Sequence, residues 1–235
     1  MICIPVVAAT QAEALHFIAR SAALADILEL RMDLLADGEL NGLIAAVRSA
    51  APAVKVLVTN RPRSAASAEE EKSRIDVLLK AVSLGADFVD LELATAIVWR
   101  EKVRALITDN QDRTRLIISH HDFCQTPSRK ELFRIFQAAV LAGARVVKIV
   151  TLARSQEDNL AILSLLPYAR RRKMEIIAFC MGDHGKMSRV MAPLLGAFFT
   201  FAALEEGSES APGQLTVLEM RQIWRILGEK QHEDK

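Results

Sequence analysis

The feature of this chain that most restricts its fold is a rhythm. Eight short runs rich in Val, Ile, Leu, Phe and Ala are separated by longer stretches with helical spacing. The runs are 2–9, 27–33, 54–60, 88–93, 115–121, 146–152, 175–181 and 198–204. Between them, at 12–25, 69–84, 129–142 and 156–171 for example, apolar residues recur at three- and four-residue steps, the period of an α-helix. Pro127-Ser128 is a helix-start signal, and Gly85 and Gly143 stand where a C-terminal cap residue belongs. Strands alternating with helices imply parallel pairing through right-handed crossovers. Such a set either closes into a barrel or stays an open, doubly wound sheet. Eight units in 235 residues fit the usual size of a (β/α)8 barrel. No G-x-G-x-x-G turn follows the first run, which counts against a dinucleotide-binding open sheet. The expectation is an α/β protein whose residues 1–235 form one (β/α)8 TIM-barrel domain.

Strand side chains alternate between two faces. In a barrel, charge belongs on neither face except near the carboxyl ends of the strands, where active sites sit. This sequence departs from that rule on five successive strands. Glu29, Arg31 and Asp33 alternate with Leu28, Leu30 and Met32. Thr59 and Arg61 share a face, as do Asp90 and Glu92, and Ser119 and His121. Lys148 stands among Val146, Val147, Ile149 and Val150. One such residue reads as a local ion pair at a strand end. Buried charge is costly unless paired, so the whole set reads better as a polar site at one end of the barrel. Burial disfavours an ammonium and frees the amine as a nucleophile. An amine, an imidazole and carboxylates in one pocket suit imine chemistry on a carbonyl substrate. His121 is the candidate proton shuttle, and His120, its neighbour, must face the other way. After the seventh run, Met181-Gly-Asp-His-Gly-Lys-Met-Ser-Arg189 offers glycines for close backbone approach, a Ser188 donor and an arginine that can grip a carboxylate bidentately. Ser210-Ala-Pro-Gly-Gln214 follows the eighth run.

Net charge is +1, so no global electrostatic case exists for nucleic acid or an anionic membrane. No uninterrupted apolar run reaches membrane-spanning length. Cys3, Cys124 and Cys180 cannot all pair within one chain and form no CxxC; they read as reduced thiols in a reducing compartment. The N-terminus lacks the basic leader of a signal peptide, and a cytoplasmic location is expected. Adjacent histidines on a strand do not make a metal pair, and no metal-ligand cluster appears. Residues 61–74 read as a polar, mobile loop entering a helix, and 228–235 as a frayed charged tail.

Taken in order, these motifs resemble those of the type I 3-dehydroquinate dehydratases. Glu29-Leu-Arg31-Met-Asp33 resembles their second-strand motif, Ser119-His-His121-Asp-Phe their catalytic-histidine strand, and Val147-Lys148-Ile-Val their Schiff-base strand. Met181, Gly185, Ser188-Arg189, Phe201 and Ser210-Ala211-Pro-Gly-Gln214 resemble their substrate contacts. The resemblance implies that Lys148 forms an imine with the C3 ketone of 3-dehydroquinate and that His121 removes the C2 proton and assists loss of the C1 hydroxyl. It implies substrate contacts at Glu29, Arg31, Arg61, Met181, Arg189, Phe201, Ser210, Ala211 and Gln214, no metal or organic cofactor, and a homodimer. One departure stands out. The family usually carries an acidic residue a few positions beyond the arginine after the third strand, commonly before Gly-Gly, which orients the histidine. Here that stretch reads Arg61-Pro-Arg-Ser-Ala-Ala-Ser-Ala-Glu69-Glu70. The orienting carboxylate is left open among Glu69, Glu70, Glu92 and Asp90. A class I Schiff-base aldolase and a non-catalytic, ligand-sensing barrel are the competing readings.

Overall fold

The computed structural model describes residues 1–62 and 67–228. Its strands are β1 (Ile2–Val6), β2 (Ile27–Arg31), β3 (Lys55–Thr59), β4 (Phe88–Glu92), β5 (Arg115–Asp122), β6 (Val146–Leu152), β7 (Glu175–Met181) and β8 (Thr200–Phe201). The helices are α1 (Gln11–Ser21), α2 (Leu40–Ala50), α3 (Ala68–Ser83), α4 (Ile97–Asp109), α5 (Arg129–Leu141), α6 (Asp158–Leu163), α7 (Leu165–Arg171), α8 (Lys186–Leu194) and α9 (Val217–Ile226). The strands pair in parallel in the order β7-β6-β5-β4-β3-β2-β1-β8. The Phe198 N–H donates to Ile176 O at 2.8 Å across the remaining gap, beside β7 and β8, and so nearly closes a barrel. The expected (β/α)8 architecture is the observed one.

Alternation along each strand divides the apolar residues into two cores. Leu28, Leu30, Val56, Val58, Val89, Leu91, Ile118, Val147 and Ile149 face outward and pack with the helices. Cys3, Ile27, Leu57, Phe88, Ile117, Val146 and Ile177 fill the barrel interior. Continuous apolar runs are therefore needed, because both faces are buried. Moving toward the carboxyl ends, the interior changes from apolar to polar: Glu29, Thr59, Asp90, Ser119 and Lys148 are all buried there.

The structure shortens several expected elements. Run 2–9 ends as a strand at Val6, and run 198–204 keeps strand pairing only at Thr200–Phe201. There the chain leaves β1 after two paired residues, and an isolated bridge, Ala203 with Thr216, replaces further ladder. The helix expected at 156–171 is two, α6 and α7, broken at Ser164. Pro167 lacks the N–H that would continue the helix to the carbonyl of Leu163, and the Ser164 hydroxyl bonds back to Ala161 O at 2.6 Å. The cap signals behave as their chemistry requires. Ser128 Oγ accepts from Glu131 N, and Gly85 and Gly143 have φ of +76° and +90°, values that glycine adopts without steric cost. The expected loop at 61–74 becomes helix from Ala68; its residues 63–66, like tail residues 229–235, lie outside the described ones. Among the described residues no helix is long and apolar enough to cross a membrane.

Candidate active site

All eleven residues to which the resemblance gives a catalytic or substrate-contact role border one cavity of about 140 Å³ at the carboxyl ends of the strands. Glu29 and Arg31 come from β2, His121 from β5, Lys148 from β6, Met181 from β7 and Phe201 from β8. Arg61 stands two residues beyond β3, Arg189 is on α8, and Ser210, Ala211 and Gln214 come from the loop after β8. Register explains the convergence of the strand residues: Glu92 pairs with Ser119 and Ser119 with Lys148, so their side chains enter the interior at one level.

Asp90 is the hub. It is 1% exposed. The Lys148 ammonium donates to its Oδ2 at 2.9 Å. Arg61 grips it with two hydrogen bonds, 3.0 and 2.6 Å, and Ser119 Oγ donates to Oδ1 at 2.5 Å. Burial alone would push the Asp90 carboxyl up, but Arg61 and Lys148 hold it well below the usual carboxylate range. This modifies the sequence expectation for Lys148. Its neighbours on β6 are apolar, yet the amine meets a carboxylate reaching in from β4. Lys148 Nζ also lies 4.4 Å from the centroid of the Phe201 ring.

Arg61 also donates to Glu92 Oε1 at 2.6 Å and to Ser119 Oγ at 2.9 Å, so its guanidinium is largely engaged by the protein. The same Glu92 oxygen lies 3.0 Å from His121 Nδ1, with an approach off the ring N–H axis. Burial, then the neighbouring Arg61 charge, lowers the His121 pKa to about 4, so the imidazole is neutral at physiological pH. Of the carboxylates left open above, Glu92 is the one beside His121. Glu70 closes a capping box with Ser67, and Glu69 is exposed on the first turn of α3. His120 takes no part. It pairs in register with Ile149, which packs in the outer core.

Arg189 is 1% exposed. It donates to Pro212 O at 3.3 Å and lies 4.5 Å from the centroid of the Phe179 ring. Its buried Nε has no hydrogen-bond partner, and no carboxylate pairs with it among the described residues. Burial lowers its pKa to about 10, still charged at neutral pH. The segment from β7 into α8 that leads to Arg189 works differently from the expectation. Ser188 is fully buried; its hydroxyl donates to Gly185 O at 2.7 Å and accepts from Cys180 N at 2.8 Å, so it pins α8 to β7 instead of facing the cavity. A Cβ on Gly185 would lie 2.6 Å from Cys180 O, so this glycine serves loop packing and not ligand approach.

Phe123, Val150 and Phe179 also border the cavity, and the sequence reading overlooked them. Their signal was alternation: Phe123 lies two residues after His121, Val150 two after Lys148, and Phe179 two before Met181. The Phe123 ring stacks on His121 with centroids 5.9 Å apart and is 71% exposed, which puts an aromatic face at the cavity mouth. Across the mouth, Gly182 N donates to Pro212 O at 3.0 Å and ties the loops after β7 and β8 together. Among the described residues no cluster of three or more His, Cys, Asp or Glu side chains is arranged to hold a metal ion.

An amine, a neutral imidazole, and a buried cation without a carboxylate can together form an imine, move a proton next to it and hold an anion. Residues 2–231 match the family described as type I 3-dehydroquinase. The chain is 32% identical to the 3-dehydroquinate dehydratase of Methanococcus maripaludis, covering 97% of this chain and all of that one. It is 40% identical to that of Syntrophobacter fumaroxidans over 67% of this chain and 65% of that one. The crystal structure of 3-dehydroquinate dehydratase from Geobacillus kaustophilus superposes with a TM-score of 0.83 at 26% identity, covering 96% of this chain and 90% of that one.

Proposed function

Because the chain belongs to the type I 3-dehydroquinase family, a family of hydro-lyases, we propose that it converts 3-dehydroquinate to 3-dehydroshikimate through an imine on Lys148. The observation that carries this reading is the composition of one cavity: Lys148, His121 and the carboxylate-free Arg189 all border it. Family membership also favours loss of water over the aldolase reaction.

The chemistry follows from those groups. Lys148 Nζ attacks the C3 carbonyl carbon as one of its protons passes to the carbonyl oxygen. The resulting carbinolamine loses water to form a protonated imine. That cation draws electrons from the adjacent carbon and acidifies the C2 proton. His121 is neutral and takes this proton as general base. The electron pair left on C2 forms the enamine and then expels the C1 hydroxyl, which leaves as water with the proton held by His121. Water adds to the conjugated imine, releasing product and the lysine amine. Asp90, kept ionised, balances the positive nitrogen throughout. Arg189 binds the ring carboxylate: a charged donor pair in a buried site recognises a carboxylate bidentately. Gln214 and Ser210 are joined through Gln214 Oε1 and hold the carboxylate and nearby hydroxyls with Arg189, while Glu29 and Arg31 hold ring hydroxyls. The lysine itself acts as the electron sink, so the reaction runs without an added cofactor. The chain works in the cytoplasm as a homodimer of one-domain subunits, which size-exclusion chromatography with light scattering tests directly.

The reaction is checked by mixing the protein with 3-dehydroquinate and following absorbance of the conjugated enone. Turnover by the natural chain and none above background by Lys148→Ala is the expected result. Turnover by the variant would refute the mechanism.

A further inference from the structure

The segment that follows Arg61, Pro62-Arg63-Ser64-Ala65-Ala66-Ser67-Ala68, carries no carboxylate. It therefore supplies no negative partner for a histidine. The carboxylates that come next are committed elsewhere or stand apart. Glu70 accepts from Ser67 N at 2.7 Å, Glu71 holds Arg74 at 2.7 Å, and Glu69 is exposed on the first turn of α3. Asp90 is saturated: one oxygen accepts from Arg61 and Ser119, the other from Arg61 and Lys148. Glu92 is left.

We propose that Glu92, at the carboxyl end of β4, is the positioning residue for His121, taking over a task for which the loop after β3 has no carboxylate; this rests on the dehydratase reading. One Glu92 oxygen faces both Arg61 Nη1, at 2.6 Å, and His121 Nδ1, at 3.0 Å. Arg61 is itself fixed by two bonds to Asp90, so Glu92 cannot swing away without losing a charged partner. The charged groups around the imidazole are Glu92 and Asp90 on β4, Lys148 on β6 and Arg61 after β3. A carboxylate at Nδ1 selects the Nδ1–H tautomer and leaves the Nε2 lone pair as the base. It also stabilises the imidazolium formed once His121 has taken the C2 proton. The off-axis approach fits a free site, since catalytic hydrogen bonds often align only when substrate is bound.

A purely structural Glu92 would neutralise Arg61 and do no more. Three readouts on Glu92→Ala and Glu92→Gln separate the two roles: the His121 tautomer by nitrogen-15 NMR, kcat against KM for 3-dehydroquinate, and the rate effect of deuterium at C2. The expected result is the Nδ1–H tautomer in the natural chain and the Nε2–H form in Glu92→Ala. A kcat lower by about ten- to a hundredfold should accompany it, part of what general acid–base catalysis supplies, with KM changed by no more than about threefold. The deuterium effect should grow, and Glu92→Gln, which keeps an acceptor oxygen, should fall between. Should Glu92→Ala not fold, Glu92→Gln is compared directly with the natural chain. An unchanged tautomer, or a loss confined to KM, overturns the proposal. If the natural chain does not turn over 3-dehydroquinate, the reaction reading fails, while the tautomer still decides for or against Glu92.

Discussion

Arg189 shows what a single residue demands of its surroundings. A guanidinium is costly to bury unless it is paired, and this one keeps a buried Nε without a partner. The site therefore has an unmet requirement for an anion, which under the proposed reaction is the substrate carboxylate. Arg189→Lys is expected to raise KM by roughly ten- to a hundredfold, because a lysine keeps the charge but loses the planar fork, while kcat changes much less. Steady-state kinetics checks this; an unchanged KM would remove Arg189 from the carboxylate site. The sequence made the identity of such residues readable but not their partners. Lys148 stood out because it interrupts a β-branched run. Its pairing with Asp90 did not, because residues 58 positions apart meet only through the closed sheet. Glu92 was visible only as one of four carboxylates, since choosing among them needs the β4–β5 register that puts Glu92 beside Ser119.

At the scale of elements, the strands were legible and the loops were not. Burial on both faces forces continuous apolar runs, so strand positions follow from composition alone, and five of the eight strands, β3 to β7, begin and end within one residue of expectation at both ends. The loops that cap the cavity depend on contacts between segments distant in sequence, which no local pattern carries. The junction of the loops after β7 and β8 is one case. Gly213 has φ of +74°, and a Cβ there would lie 2.2 Å from Gly182 O. Gly213→Ala should therefore push the two loops apart at a cost of about 1–3 kcal/mol, the range for a strained backbone position. The junction sits at the mouth, above the interior core that Met181, Leu152 and Ala211 close. KM for 3-dehydroquinate is expected to rise, with only a small fall in the thermal midpoint. A variant with natural KM would show that this junction does not shape the site.

At the scale of the whole molecule, the site's charges make stability depend on pH. His121 has a folded pKa near 4 against an ordinary 6.5, so below pH 6.5 the unfolded chain binds a proton that the folded chain refuses. Its contribution is present above about pH 6.5 and is lost as pH falls toward 4. Asp90 is held below its ordinary 3.8, so its contribution is present above that value and is lost as pH falls further. Both signs agree, and acid should unfold the barrel in two overlapping stages. Thermal midpoints measured from pH 8 to 3 are expected to hold above 6.5 and decline below it. His121→Gln should flatten the decline between 6.5 and 4 and leave the lower stage in place. A natural chain with no decline in that window would contradict the neutral, buried imidazole.

In the proposed reaction the lysine ion-paired to Asp90 becomes the covalent nucleophile. Borohydride reduction in the presence of 3-dehydroquinate, followed by intact mass and peptide mapping, tests it most directly. One reduced adduct per chain is expected, mapped to Lys148, absent from Lys148→Ala and still formed by His121→Ala, which lacks the base but keeps the amine. An adduct on another lysine, or product formed with no adduct at all, would contradict it.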